Sequence, residues 1–156
     1  MNGKYLTISG RIKQELSEIK TSIERAKIAW ERAQQSSDSL YLDSVALNLH
    51  DFYSGLERIF ELIAENVDET KPSGSNWHQE LLRQIATEIP KIRPAVISQE
   101  LRQRLDEYRA FRHIVRNVYA RNFKVNRIKM LLDSVEEVFS KTENELLAFC
   151  NFLEEL

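Results

Sequence analysis

LDEYRAFRHIVRNVYARNF, residues 105–123, decides how the rest of the chain is read. Tyr108, Phe111, Ile114, Val115 and Val118 recur at spacings of three and four, so they define one apolar face of a helix. On the side away from that stripe, Arg109, Arg112, Arg116 and Tyr119 fall within roughly 80° of one another at about 100° per residue. His113, Asn117 and Arg121 complete the polar set. Arginines near a helix C-terminus gain about 0.3–1 kcal/mol each from the macrodipole. Cations stacked three, four and seven residues apart repel one another by a few tenths of a kcal/mol per pair. Asp106 and Glu107 are the only acids inside the stretch, so the cluster reads as locally uncompensated. An external anion would relieve it, and a planar, bidentate guanidinium is well matched to phosphate.

Composition sets the frame around this helix. The chain has 156 residues, 42% hydrophobic and 29% charged, enough for one domain over residues 1–156 with a real core. Four glycines, three prolines and long stretches of three-to-four periodicity point to an all-α chain. The single Cys150 cannot form an internal disulfide and reads as a packed thiol in a reducing compartment. Neither a signal peptide nor a run of roughly 20 apolar residues is present, so the expected location is the cytoplasm, away from membranes.

Charge is unevenly spread. The total is −2, but Arg102 to Lys129 carries nine cations against two acids, net +7, and Asp133 to Leu156 carries seven acids against Lys141, net −6. Such polarity can steer a polyanion to one end of the molecule. Equally, the two segments can neutralise each other inside the bundle.

From the start, Met1 to Thr7 reads as a short lead and Ser9 as the cap of a helix running to about Gln35, with Ile12, Leu16, Ile19, Ile23, Ala26 and Trp30 forming one seam. Residues 36–39 make a turn in which Asp38 or Ser39 caps a second helix, Ser39 to about Val67, with Val45, Leu49, Phe52, Leu56, Ile59, Phe60 and Ile63 inward. So short a turn implies antiparallel packing. His50, followed by no lysine in place for a phosphotransfer motif, reads as structural, and Gly55 as a point where another helix comes close. Asp68 to Asn76 is a loop, Trp77 to about Ile89 a shorter helix, and Pro90 and Pro94 break the chain before Ser98 caps the arginine-bearing helix. A last helix from about Val125 turns Ile128, Leu131, Leu132, Val135, Val138 and Phe139 inward, then Leu146, Leu147, Phe149 and Leu153, and its last third is long enough to project. The sum is an antiparallel bundle of about five helices.

His50, His78 and His113 lie on three different helices without paired spacing, so no metal site is expected. No phosphate-binding loop or dinucleotide fingerprint occurs, and no cofactor is expected. Any chemistry must use Arg, His, Asn and Tyr.

The order Arg112, four residues, Asn117, one residue, Tyr119 resembles the motif of HEPN-domain ribonucleases, in which Arg is followed after four residues by His and after one more by Tyr. FRHIVRNVY, residues 111–119, is similar to the HepT toxin branch of that family. HDFYSGLERIFELIA (50–64) and SNWHQELL (75–82) also resemble HepT-type chains in order and spacing, so the likeness covers most of the chain. It implies a HEPN-like bundle that forms a homodimer, with two motif helices side by side sharing a metal-independent site that cleaves tRNA or mRNA. It also implies an operon partner, a minimal nucleotidyltransferase antitoxin that neutralises the toxin by AMPylation of the motif tyrosine, Tyr119.

The departure is Asn117 where the motif has histidine. RNA cleavage without metal requires the 2′-OH to lose a proton and the leaving oxygen to gain one, which imidazole can do and an amide cannot. Either this member has lost or reassigned its catalytic group, or the change was made so that a toxic chain could be expressed; a single change in an otherwise intact motif favours the second. On the resemblance, Arg112, Asn117 and Tyr119 form the catalytic set, with Arg112 on the scissile phosphate. Arg109, Arg116, His113 and Arg121 extend the RNA track. In an ideal helix Asn117 lies about 140° from Arg112, so one phosphate is shared only across a dimer or an unwound helix end. The non-enzymatic alternative is a helical interaction module whose arginine face binds an acidic or nucleotidyltransferase partner.

Overall fold

The computed structural model describes residues 2–117 and 124–156, with the backbone alone for Arg116 and Asn117. Among these residues five α-helices follow one another: α1 (Gly3–Gln35), α2 (Leu40–Ile63), α3 (Trp77–Ile85), α4 (Gln99–Asn117) and α5 (Val125–Glu154). Among the described residues the one extended pairing is an isolated bridge between Ile89 and Arg93. The chain is an all-α bundle.

Helix α1 starts earlier than the position of Ser9 led one to expect. Asn2 is the cap, accepting from the Lys4 N–H at 3.0 Å, while Ser9 lies buried within the helix and donates its hydroxyl to Glu154 at 2.8 Å. The seam from Ile12 to Ala26 is buried, and Trp30 packs half-buried against the same core. The α1–α2 hairpin is antiparallel: Arg58 reaches Glu15 at 2.7 Å, and Gly55 faces Ile19. A Cβ on Gly55 would stand 2.5 Å from Ile19 Cγ1, so the glycine permits the close approach its place in the sequence implied. At the turn Ser39 holds the N-cap position of α2 without a side-chain bond, and Asp38 supplies the side-chain acceptor, taking the Leu40 N–H at 3.0 Å.

The second helix keeps α geometry to Ile63 and then widens into a π turn over Ala64–Asp68, closed by Glu69 in the left-handed region at φ 58°. That turn sets Asp68 against Arg93, a fully buried pair with Nε–Oδ1 at 2.5 Å and a second bond to Oδ2 at 2.8 Å. Arg93 also donates to the carbonyls of Gln84 at 3.1 Å, Thr87 at 2.9 Å and Pro94 at 3.0 Å. This explains why α3 ends at Ile85 rather than near Ile89. Pro90 disfavours helix at Ile89, and the guanidinium satisfies carbonyls at the end of α3 and just beyond it.

Ser98 caps α4 as expected, its Oγ accepting from the Leu101 N–H at 3.1 Å. Helix α5 runs antiparallel to both α1 and α4, through Ser9–Glu154 and the Lys27–Glu136 pair on one side and Arg104–Glu137 at 3.3 Å on the other. Its last third does not project. Leu146, Phe149, Cys150 and Leu153 are buried, with Ser9 and Lys13 of α1 bonded to Glu154, although Leu147 stays exposed. Burial pushes the Cys150 thiol up. Phe52 stands edge-on to Tyr108 at 5.1 Å and to Phe139 at 6.5 Å, joining α2, α4 and α5. The basic and acidic segments do meet, through Arg104–Glu137 between α4 and α5 and Lys129–Asp133 at 3.4 Å within α5.

Candidate functional site

Three polar side chains sit where apolar seams call for hydrophobic ones. In α4, Leu101, Leu105, Tyr108 and Arg112 step by four, three and four; the first three are buried, and Arg112 occupies the next place on the same line. In α2 and on into its π turn the line Tyr53, Glu57, Phe60, Ala64 is buried throughout, with Glu57 only 2% exposed. In α3, His78, Leu82 and Ile85 step by four and three. The three interlopers meet. One oxygen of Glu57 lies 3.4 Å from the Arg112 guanidinium, and the other lies 2.8 Å from Nδ1 of His78.

Arg112 therefore does not belong to an open guanidinium face. Its side chain is 12% exposed, and Nε donates to Ser54 Oγ of α2 at 2.9 Å. The angular reason lies further back in the helix, because Leu101 and Leu105 bracket Arg112 around the axis and carry it inward when they pack. Ile114, on the far edge of the expected apolar stripe, is turned out and 39% exposed, while Val115 packs half-buried against the core. Nor is the cluster uncompensated. Arg109 donates to Asp106 one turn earlier at 2.6 Å, and Glu57 compensates Arg112 from a different helix. A buried carboxylate must be paired to be tolerated, and Glu57 has both a cation and an imidazole.

His113 is exposed on α4. Arg116 and Asn117 belong to α4 by their backbone, and their side chains, like all of Tyr119 and Arg121, lie outside the described residues. His50 pairs with the adjacent Asp51 at 3.1 Å. Tyr53 is wholly buried one turn before Glu57; its hydroxyl has no hydrogen-bond partner among the described residues, and burial pushes its ionisation far upward. Trp77 stacks beside His78 with ring centroids 3.7 Å apart, and Lys71 lies over Trp77 at 5.0 Å while bonding Glu61 at 2.7 Å. Among the described residues no group of His, Cys, Asp and Glu is placed to hold a metal ion.

Sequence reasoning passed over Glu57 and His78. The signal was present as a charged or polar residue in the seam of each helix: within the seam of α2 for Glu57, at the start of α3 for His78, and one turn beyond Tyr108 on α4 for Arg112.

A family model described as HepT-like protein matches residues 44–153, which span the second half of the α1–α2 hairpin and everything after it up to the end of α5. The chain belongs to the HepT-like family. Membership makes it a HepT-type toxin of a toxin–antitoxin system. Neither a curated protein nor a solved structure matches it. All three seam residues of this HepT-like chain, Glu57, His78 and Arg112, fall inside the matched segment. No helix among the described residues is long and apolar enough to cross a membrane.

Proposed function

We propose that this HepT-like chain is a metal-independent endoribonuclease that acts as a homodimer. Its motif helices lie side by side, and Arg112 binds the scissile phosphate there. The observation that carries the reading is the seating of Arg112. A guanidinium fixed by Ser54 and Glu57 has little freedom left to lose when it meets a phosphate, and fixed charge is what stabilises a phosphorane-like transition state. Arg109, Arg116, His113 and Arg121 extend the backbone track. Tyr119 is the residue to which a minimal nucleotidyltransferase antitoxin transfers AMP. An added nucleotidyl group there places negative charge and bulk beside the arginines and competes with RNA.

The test compares the purified chain with Asn117→His on tRNA and total RNA in the presence of a chelator. Restoring the motif imidazole should raise cleavage above that of the parent, by up to about 10²–10⁴, the full range for general acid–base help where no other group of the chain moves the proton. Incubation with the nucleotidyltransferase and ATP should then silence the protein but leave Tyr119→Phe active. Failure of both the parent chain and Asn117→His to cut any RNA, with the fold intact, refutes the ribonuclease reading.

A further inference from the structure

The imidazole that the motif lacks at position 117 has a counterpart on α3, bound to the carboxylate that also holds Arg112. We infer that His78, on α3, is the proton-transfer residue of this site, oriented by Glu57 and placed beside Arg112 by the carboxylate they share. This rests on the ribonuclease reading above.

The geometry defines which nitrogen does what. A carboxylate oxygen can only accept, so the 2.8 Å contact with Glu57 places the hydrogen on Nδ1 of His78 and leaves the Nε2 lone pair as the one that takes a proton. A buried acid fixing the tautomer and direction of a histidine is the logic of the carboxylate–imidazole pairs used in acyl transfer. Glu57 is suited to that task because it is itself immobilised, 2% exposed and held on its other oxygen by Arg112. His78 differs from its two partners in access, its side chain being 27% exposed against 3% for Glu57. Neutralising Glu57 would need Arg112 alone. A second, partly exposed partner on the same carboxylate is what a site that handles protons requires.

Charged groups around His78 include Glu57 from α2, Arg112 from α4, and Lys71, which lies over the adjacent Trp77 and is paired with Glu61 at 2.7 Å and Glu65 at 3.3 Å. Of these, Arg112 is the cation bound to the same carboxylate as His78 and suited to a phosphate. In the step that follows, Nε2 removes the proton of a ribose 2′-OH as that oxygen bonds to phosphorus. The bond from phosphorus to the 5′ oxygen breaks, its electron pair stays on that oxygen, and a proton from solvent neutralises it. The products are a 2′,3′-cyclic phosphate and a 5′-hydroxyl, and the imidazolium returns its proton to water. Arg112 carries the charge of the pentavalent intermediate. Glu57 is a positioning residue.

The experiment uses the full chain on the RNA substrate, comparing the parent, Asn117→His, His78→Ala and His78→Gln. The parent should cleave, and both His78 variants should lose about 10²–10⁴ in rate with unchanged helical circular dichroism at the assay temperature. Added imidazole should restore part of the activity of His78→Ala and none of that of Arg112→Ala, a readout that a purely structural histidine does not move. Should His78→Ala unfold, His78→Gln carries the comparison, since its amide can still donate to Glu57. Three results overturn the inference while sparing the ribonuclease reading: a parent that cuts RNA as fast without His78, a His78→Ala protein that stays folded but is indifferent to imidazole, or activity seen only in Asn117→His. RNA left intact by parent and Asn117→His alike defeats both.

Discussion

Glu57 is buried with a partner on each oxygen, and the two partners can be removed separately. Arg112→Ala leaves the carboxylate with the imidazole alone, and it should destabilise the protein by roughly 3 kcal/mol in urea unfolding, the scale on which half of a buried pair is lost. Combining it with Glu57→Gln should recover most of that, because the desolvated charge goes with its cause. A double variant as unstable as the single one would show that packing, rather than charge, sets the cost. The same substitution should weaken RNA binding and flatten its salt dependence by about one phosphate contact. At this scale the sequence was only partly legible. Periodicity put Tyr108 and Phe111 in the core correctly, but it placed Arg112 on an open face, because the two faces were divided by the residues from Tyr108 onward, without the direction that Leu101 and Leu105 set at the start of the same stripe. Glu57 and His78 are inconspicuous in a row of letters. Their meaning comes from a contact between residues far apart in the chain, which no local pattern contains.

Between elements, the α1–α2 contact is the tightest to argue from. Gly55→Ala improves helix propensity by about 1 kcal/mol, yet its methyl would meet Ile19 Cγ1 at 2.5 Å, and overpacking of this kind costs about 1–3 kcal/mol. The expected outcome is a lower thermal midpoint; a rise would mean that the two helices separate without penalty. The far end of the bundle answers to pH. Hydrogen bonds from Lys13 and Ser9 hold the Glu154 carboxyl below its ordinary value of 4.5. A carboxylate lowered by folding stabilises above its unfolded pKa and loses that contribution as pH falls through the folded value. Glu154→Gln should therefore lose less stability than the parent between neutral pH and about pH 3. Equal acid sensitivity of the two proteins would place the acid-labile contacts elsewhere. Element boundaries were legible where local chemistry sets them, as at Ser98, and illegible where a distant group does. Ser9 reads as a cap until Glu154 takes its hydroxyl, and α3 reads too long until Arg93 collects its carbonyls.

For the molecule as a whole, the motif occurs once per chain, and the composite site proposed above takes one motif helix from each of two copies. Light scattering at micromolar concentration should give twice the 18.3 kDa of one chain. A monomer, both alone and with the antitoxin, would remove the shared-site argument and leave the Glu57, His78 and Arg112 cluster as a site complete in one subunit. That cluster also has a history in time. The α1–α2 hairpin is made of neighbours in sequence and presents Glu57 to water as soon as it forms, whereas Arg112 emerges from the ribosome later, by roughly 3–11 s at about 5–20 residues per second. Until then the carboxylate has no cation, and α4 has no seat. A nascent chain stalled before α4, or a product of premature termination there, holds Glu57 and His78 without Arg112, so the cell's exposure to the finished cluster begins only after α4 has been made.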